Sequence, residues 1–149
     1  MGRSISDIRV MKISLKKTDA SPYSVEAENE SGNKLTLDGA EKIGGANAGF
    51  RPMELVATAL AGCSTIDVLS ILKKQRQDVR DLKIDVDAHR RADEVPSIFD
   101  TIHVSYTFFG DLRPDAVEKA LHLSFEKYCS VGMILRPTCV VTYSYTIEP

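Results

Sequence analysis

Two cysteines sit where a thiol could react. Cys63 follows Gly62 and precedes Ser64 and Thr65, inside a long apolar stretch with helical spacing. A glycine in a helix costs about 1 kcal/mol relative to alanine, so Gly62 suggests that something needs the space beside the cysteine. Ser64 and Thr65 place hydroxyls in otherwise apolar surroundings, which suits a polar pocket. Cys129 closes a second helical stretch and is followed by Ser130 and Gly132. There a thiol can meet the free N–H groups of the next turn. Each has a plainer reading: Cys63 as a small core hydrophobe, and Cys129 as a helix-terminal residue without a role. Cys139 has alternating neighbours and reads as strand packing.

The sequence leaves open whether Cys63 and Cys129 meet. If they do, the pair has the parts of a two-cysteine peroxidase: a thiolate attacks an O–O bond, and a nearby thiol condenses the resulting sulfenic acid to a disulfide. A reactive thiol needs a depressed pKa, usually from a cation or a helix N-terminus. Arg51 is the candidate cation, and Glu54 could hold an arginine in place through a bidentate pair. Against this, a glutamate in the first helical turn suits the dipole in any case, and an arginine beside proline is commonly a solvated residue.

Other chemistry is poorly supported. The 3 histidines, His89, His103 and His122, lack zinc-site spacing. The Gly44-Gly45-Ala46-Asn47 segment lacks the ending of a phosphate loop. The expectation is no metal and no cofactor. The net charge is −2 with scattered basic residues, which argues against nucleic acid. No uninterrupted apolar run approaches the roughly 18 residues of a membrane span, so no membrane partner is expected. Met1 to Val10 lacks an apolar signal core, and 3 cysteines do not make a structural disulfide framework, so a cytoplasmic location is expected.

Several elements must position these residues. Alternation marks strands at Ile8 to Lys16, Tyr23 to Glu28 and Lys34 to Leu37, with a hairpin turn at Glu30-Ser31-Gly32-Asn33. Gly39 to Phe50 reads as a mobile loop. Pro52 opens a long helix through Leu72, apolar on nearly every side, so it belongs inside a core or an interface. Leu82 to His89 and Phe99 to Phe109 alternate as strands. Pro114 to Tyr128 is an amphipathic helix, Val131 to Leu135 a short apolar turn, and Cys139 to Ile147 the last strand. The order is β-β-β-α-β-β-α-β, an α+β arrangement in a single domain over residues 1–149.

The segment Arg51-Pro-Met-Glu-Leu-Val-Ala-Thr-Ala-Leu-Ala-Gly-Cys63-Ser-Thr-Ile-Asp-Val resembles the central-helix motif of the OsmC/Ohr family. Glu126-Lys-Tyr-Cys129-Ser-Val resembles that family's second cysteine motif, and Arg76 to Val79 resembles its OsmC-like branch. The resemblance implies antiparallel sheets wrapped around a long central helix in an intertwined homodimer, with the site at the subunit interface. It also implies reduction of organic hydroperoxides, with Cys63 peroxidatic, Cys129 resolving, and a dithiol reductant such as a lipoylated protein. The sequence departs from the best-known branches in two ways. Their central-helix glutamate falls here on Met53, with Glu54 one place later. Their activating arginine between early strands has no counterpart, the region offering Lys16 and Lys17. The missing arginine favours an alternative: a non-catalytic homodimer that senses redox state or binds a small apolar ligand.

Overall fold

A computed structural model describes residues 10–149. The chain divides between Leu55 and Val56 into two compact units. The division falls inside the first turns of a helix and not in a linker.

In the first unit β1 (Ile13–Lys17), β2 (Val25–Asn29) and β3 (Lys34–Leu37) form an antiparallel sheet in chain order. The expected first strand begins later than its alternation suggested, and Ile8 lies outside the described residues. The β2–β3 turn forms because the Asn29 side-chain oxygen accepts the N–H groups of Ser31 and Asn33, each at 3.0 Å. The apolar residues of β1 stay uncovered, with Ile13 58% and Leu15 59% exposed.

The segment after β3 is tied down, unlike the mobile loop expected from its Gly, Ala and Asn content. One buried carboxylate does this. Asp38 accepts from Ser21 Oγ at 2.5 Å, from the Gly39 N–H at 2.7 Å, and from the N–H groups of Ala46 and Ala48 at 2.9 and 3.1 Å. The chain closes so tightly on itself that a Cβ at Gly45 would overlap the Gly39 carbonyl. Composition carried no sign of this, because the organising group precedes the loop.

The second unit is built on β4 (Asp81–Arg90), β5 (Phe99–Phe109) and β6 (Val140–Glu148). β4 and β5 pair antiparallel, whereas β6 joins β5 in parallel, so this sheet is mixed. A parallel neighbour requires a crossover. Helices α2 (Pro114–Leu123) and α3 (Ser130–Leu135) supply it, joined by a π-helical turn over Ser124–Tyr128. The alternation of β5 sends Ile102, Val104, Tyr106 and Phe108 into the core, with Val117, Ala120 and Leu121 of α2 buried as well. Each such Val, Leu or Phe contributes about 1.5–3 kcal/mol on burial. Phe125 stacks tilted on Tyr143, ring centroids 4.7 Å apart, and meets Tyr106 edge-on.

Helix α1 (Pro52–Lys74) carries Cys63. Its buried stripe is Ala57, Leu60, Ala61, Ser64, Val68 and Leu72, which is one helical face. The opposite face is not covered in the single chain: Ile66 is 71% exposed and Leu69 38%. By length and composition α1 could also cross a membrane, so counting uninterrupted apolar residues does not by itself exclude a span. Its polar groups Ser64 and Asp67 are engaged with β5 and the π turn.

Candidate functional site: two thiols and a carboxylate

Cys63 and Asp67 are four residues apart on α1, one above the other on the same face. The Sγ of Cys63, the Sγ of Cys129 and a carboxylate oxygen of Asp67 all lie within 4.8 Å of one another. Cys63 and Asp67 are half-buried and Cys129 is buried. The two expected cysteines therefore meet.

The π turn sets Cys129 in place. Its wide closure, with the Cys129 N–H donating to the Ser124 carbonyl at 2.8 Å, inserts one residue relative to an α-helix. Cys129 then leaves the helical conformation and caps α3, its Sγ accepting the Gly132 N–H at 3.3 Å. Burial pushes the Cys129 thiol up to about 11, against the Gly132 hydrogen bond, with Cys63 and Asp67 raising it further. It is a thiol and not a thiolate near neutral pH.

Ser124 holds the carboxylate. Its hydroxyl lies 3.1 Å from Asp67 Oδ2 and 3.3 Å from the Ser64 carbonyl, joining the π turn to α1. Ser64 Oγ, in turn, lies 2.6 Å from the Tyr106 hydroxyl of β5 and within reach of the Leu60 carbonyl at 2.9 Å. The pocket suggested by the hydroxyl beside Cys63 is thus a fastening between helix and sheet. A groove of about 400 Å³, lined by Asp67, Ser70, Lys74, Lys119, Leu123 and Tyr128 among others, opens on the carboxylate.

In the first unit Glu54 Oε2 accepts the Arg51 backbone N–H at 2.8 Å, which caps the start of α1. The Arg51 guanidinium donates to Asn47 Oδ1 at 3.1 Å and to the Gly49 carbonyl at 3.3 Å. Cys63 lies about three turns into α1, beyond the first turn over which the helix dipole acts. A Cβ built on Gly62 meets nothing within 4 Å among the described residues, so this glycine makes no room for a neighbour in its own chain. Cys139 is buried as expected, its Sγ 3.4 Å from the Leu135 carbonyl, but it sits in the bend just before β6 and not on the strand.

Sequence reasoning missed Asp67 and Ser124. Asp67 had a readable signal, being the lone charged side chain between Glu54 and Lys73 in an apolar helix, one turn after the cysteine. Ser124 had none, since its partners are 57 and 60 residues away.

Comparison with known proteins places the chain in a family. The protein YhfA of Escherichia coli is 41% identical over 124 residues, spanning 80% of this chain and 87% of the relative. A hypothetical protein from Aquifex aeolicus has a solved structure with a TM-score of 0.76 at 31% identity, covering 95% of this chain and 100% of that one. The organic hydroperoxide resistance protein OhrB of Bacillus subtilis shares the fold, with a TM-score of 0.62 at 18% identity over 93% of this chain and 98% of its own. The family pattern described as OsmC-like protein matches residues 44–144, both cysteine motifs included, and the chain belongs to that family.

Proposed function

We propose that the protein reduces organic hydroperoxides, with Cys63 as the attacking and Cys129 as the resolving cysteine. The observation that carries this is the meeting of the two sulfurs within 4.8 Å. The more accessible thiol, Cys63, attacks the peroxide as its thiolate. The O–O bond breaks, the alcohol leaves with a proton, and Cys63 becomes a sulfenic acid. Cys129 attacks that sulfur, its proton and the departing hydroxide form water, and a disulfide joins the two. A dithiol restores both thiols. Family membership and the hydroperoxide-resistance proteins that share the fold support this reading.

We place the active form as a homodimer. The uncovered apolar residues Ile66 and Leu69 on α1, Met133 and Ile134 on α3, and Ile13 and Leu15 on β1 support it.

The test is consumption of an organic hydroperoxide with a dithiol present. Cys63→Ser should abolish it, and Cys129→Ser should accumulate a sulfenic acid trapped by a dione probe. An unchanged rate in Cys63→Ser would overturn the proposal. A second reading, a non-catalytic redox-sensing or ligand-binding dimer, is favoured at Cys129, whose thiol is raised by burial and further by Cys63 and Asp67. An apolar ligand retained in a native mass spectrum, together with no turnover, would select it.

A further inference from the structure

We propose that Cys63, Asp67 and Cys129 bind a thiophilic divalent cation of the zinc type in the reduced protein. The ligand atoms already lie within 4.8 Å of one another. Tetrahedral zinc, with Zn–S near 2.3 Å and Zn–O near 2.0–2.2 Å, spans ligand-to-ligand edges of roughly 3.5–3.8 Å. Side-chain shifts on the order of 1 Å complete the site. Cys63 and Asp67 are set by one helical face and Cys129 by the π turn, so neither needs the backbone to move.

The donor set suits this class of ion. Two thiolate sulfurs and a carboxylate brought this close would repel one another. A bound divalent ion reverses that, turning mutual repulsion into ligation. Sulfur ligands select zinc-like ions over magnesium or calcium. The outer contacts are those a metal site requires: the Ser124 hydroxyl orients the Asp67 carboxylate, and the Gly132 N–H points at the Cys129 sulfur. The groove lined by Asp67 gives a path of entry, and half-buried Cys63 leaves a further coordination position open to water or solute. A search of the sequence for histidine spacing misses such a site because its ligands come from α1 and from the start of α3.

Binding of the dication releases both thiol protons, leaving a dithiolate–carboxylate complex. A disulfide would consume two of the ligands, so the metal-bound and oxidised forms exclude each other. The site thus shields both thiols from oxidation while the ion is held. None of this rests on peroxide reduction.

The experiment is anaerobic titration of the reduced full chain with Co(II), followed by Zn(II). A thiolate-to-cobalt charge-transfer band should saturate stoichiometrically and be bleached by zinc. Cys63→Ser and Cys129→Ser should lose the band, and Cys139→Ser should keep it. Asp67→Asn and Ser124→Ala should weaken zinc binding by about 10–100-fold, with circular dichroism unchanged. No band in the native chain, or a band that survives in the Cys63→Ser, Cys129→Ser double variant, overturns the site. Hydroperoxide consumption is followed on the same metal-free reduced sample. Turnover without the band sinks the metal site alone, and the band without turnover sinks the peroxidase reading alone.

Discussion

Ser64 Oγ and the Tyr106 hydroxyl lie 2.6 Å apart in the core, fastening the cysteine-bearing helix to the central strand of its sheet. The serine proton has acceptors in its own helix, the carbonyls of Leu60 at 2.9 Å and Ala61 at 3.1 Å, so the tyrosine O–H donates to Ser64. Burial also pushes the Tyr106 phenol up, keeping it a donor. The two partners are therefore unequal. Ser64→Ala removes the acceptor of a buried donor and should cost about 1–3 kcal/mol, while Tyr106→Phe should cost about 0.5–1.5 kcal/mol. Urea unfolding of the two variants measures the difference. Equal losses would show that the tyrosine proton goes elsewhere.

Much of this arrangement was legible in the sequence, and particular residues show why. The period-2 pattern at Ile102, Val104, Tyr106 and Phe108 depends on a strand having one buried face, and the structure buries all four. The element order follows from such patterns and from Pro52 and Pro114 at helix starts. What escaped depends on tertiary placement. The all-round apolar character of α1 suggested burial, yet its Ile66 side is open, because sequence records apolarity and not which chain covers it. The meeting of Cys63 with Cys129 turns on one extra residue in the π turn, which no periodicity reports.

Asp38 gives the first unit an acid-sensitive element. The Ser21 hydroxyl and the N–H groups of Ala48, Ala46 and Gly39 stabilise the anion, holding its carboxyl down at about 2. A folded pKa below the unfolded value of about 3.9 contributes stability that is complete above that value. It is lost as the pH falls through about 2. Asp38→Asn keeps the shape, but its amide NH₂ cannot accept from Ala46 and Ala48. The expected outcome is lower stability at neutral pH and a flatter acid limb than the native chain in urea midpoints. An unchanged acid limb would place the acid sensitivity elsewhere.

The open side of α1 predicts the oligomeric state. Ile66 is 71% exposed, and a Cβ on Gly62 would meet no described atom within 4 Å beyond its chain neighbours and its own helix's backbone, so a second chain can approach the helix closely. Ile66→Asp would place a charge in that contact. Sedimentation equilibrium should find a dimer for the native chain and monomer for the variant. A native chain that stays monomeric at all concentrations refutes the dimer.

Glu54 separates a capping role from a catalytic one. Its Oε2 receives the Arg51 N–H at 2.8 Å at the start of α1, as the reciprocal half of a capping box does. Glu54→Ala should lower stability by about 0.5–2 kcal/mol, whereas Glu54→Gln retains an acceptor oxygen and most of that stability. Under the capping role both variants alkylate Cys63 at the native rate once folded. A Glu54→Gln chain of native stability but slowed Cys63 alkylation would instead tie the carboxylate's charge to the thiol. Thermal unfolding and iodoacetamide kinetics on the same preparations decide between the two.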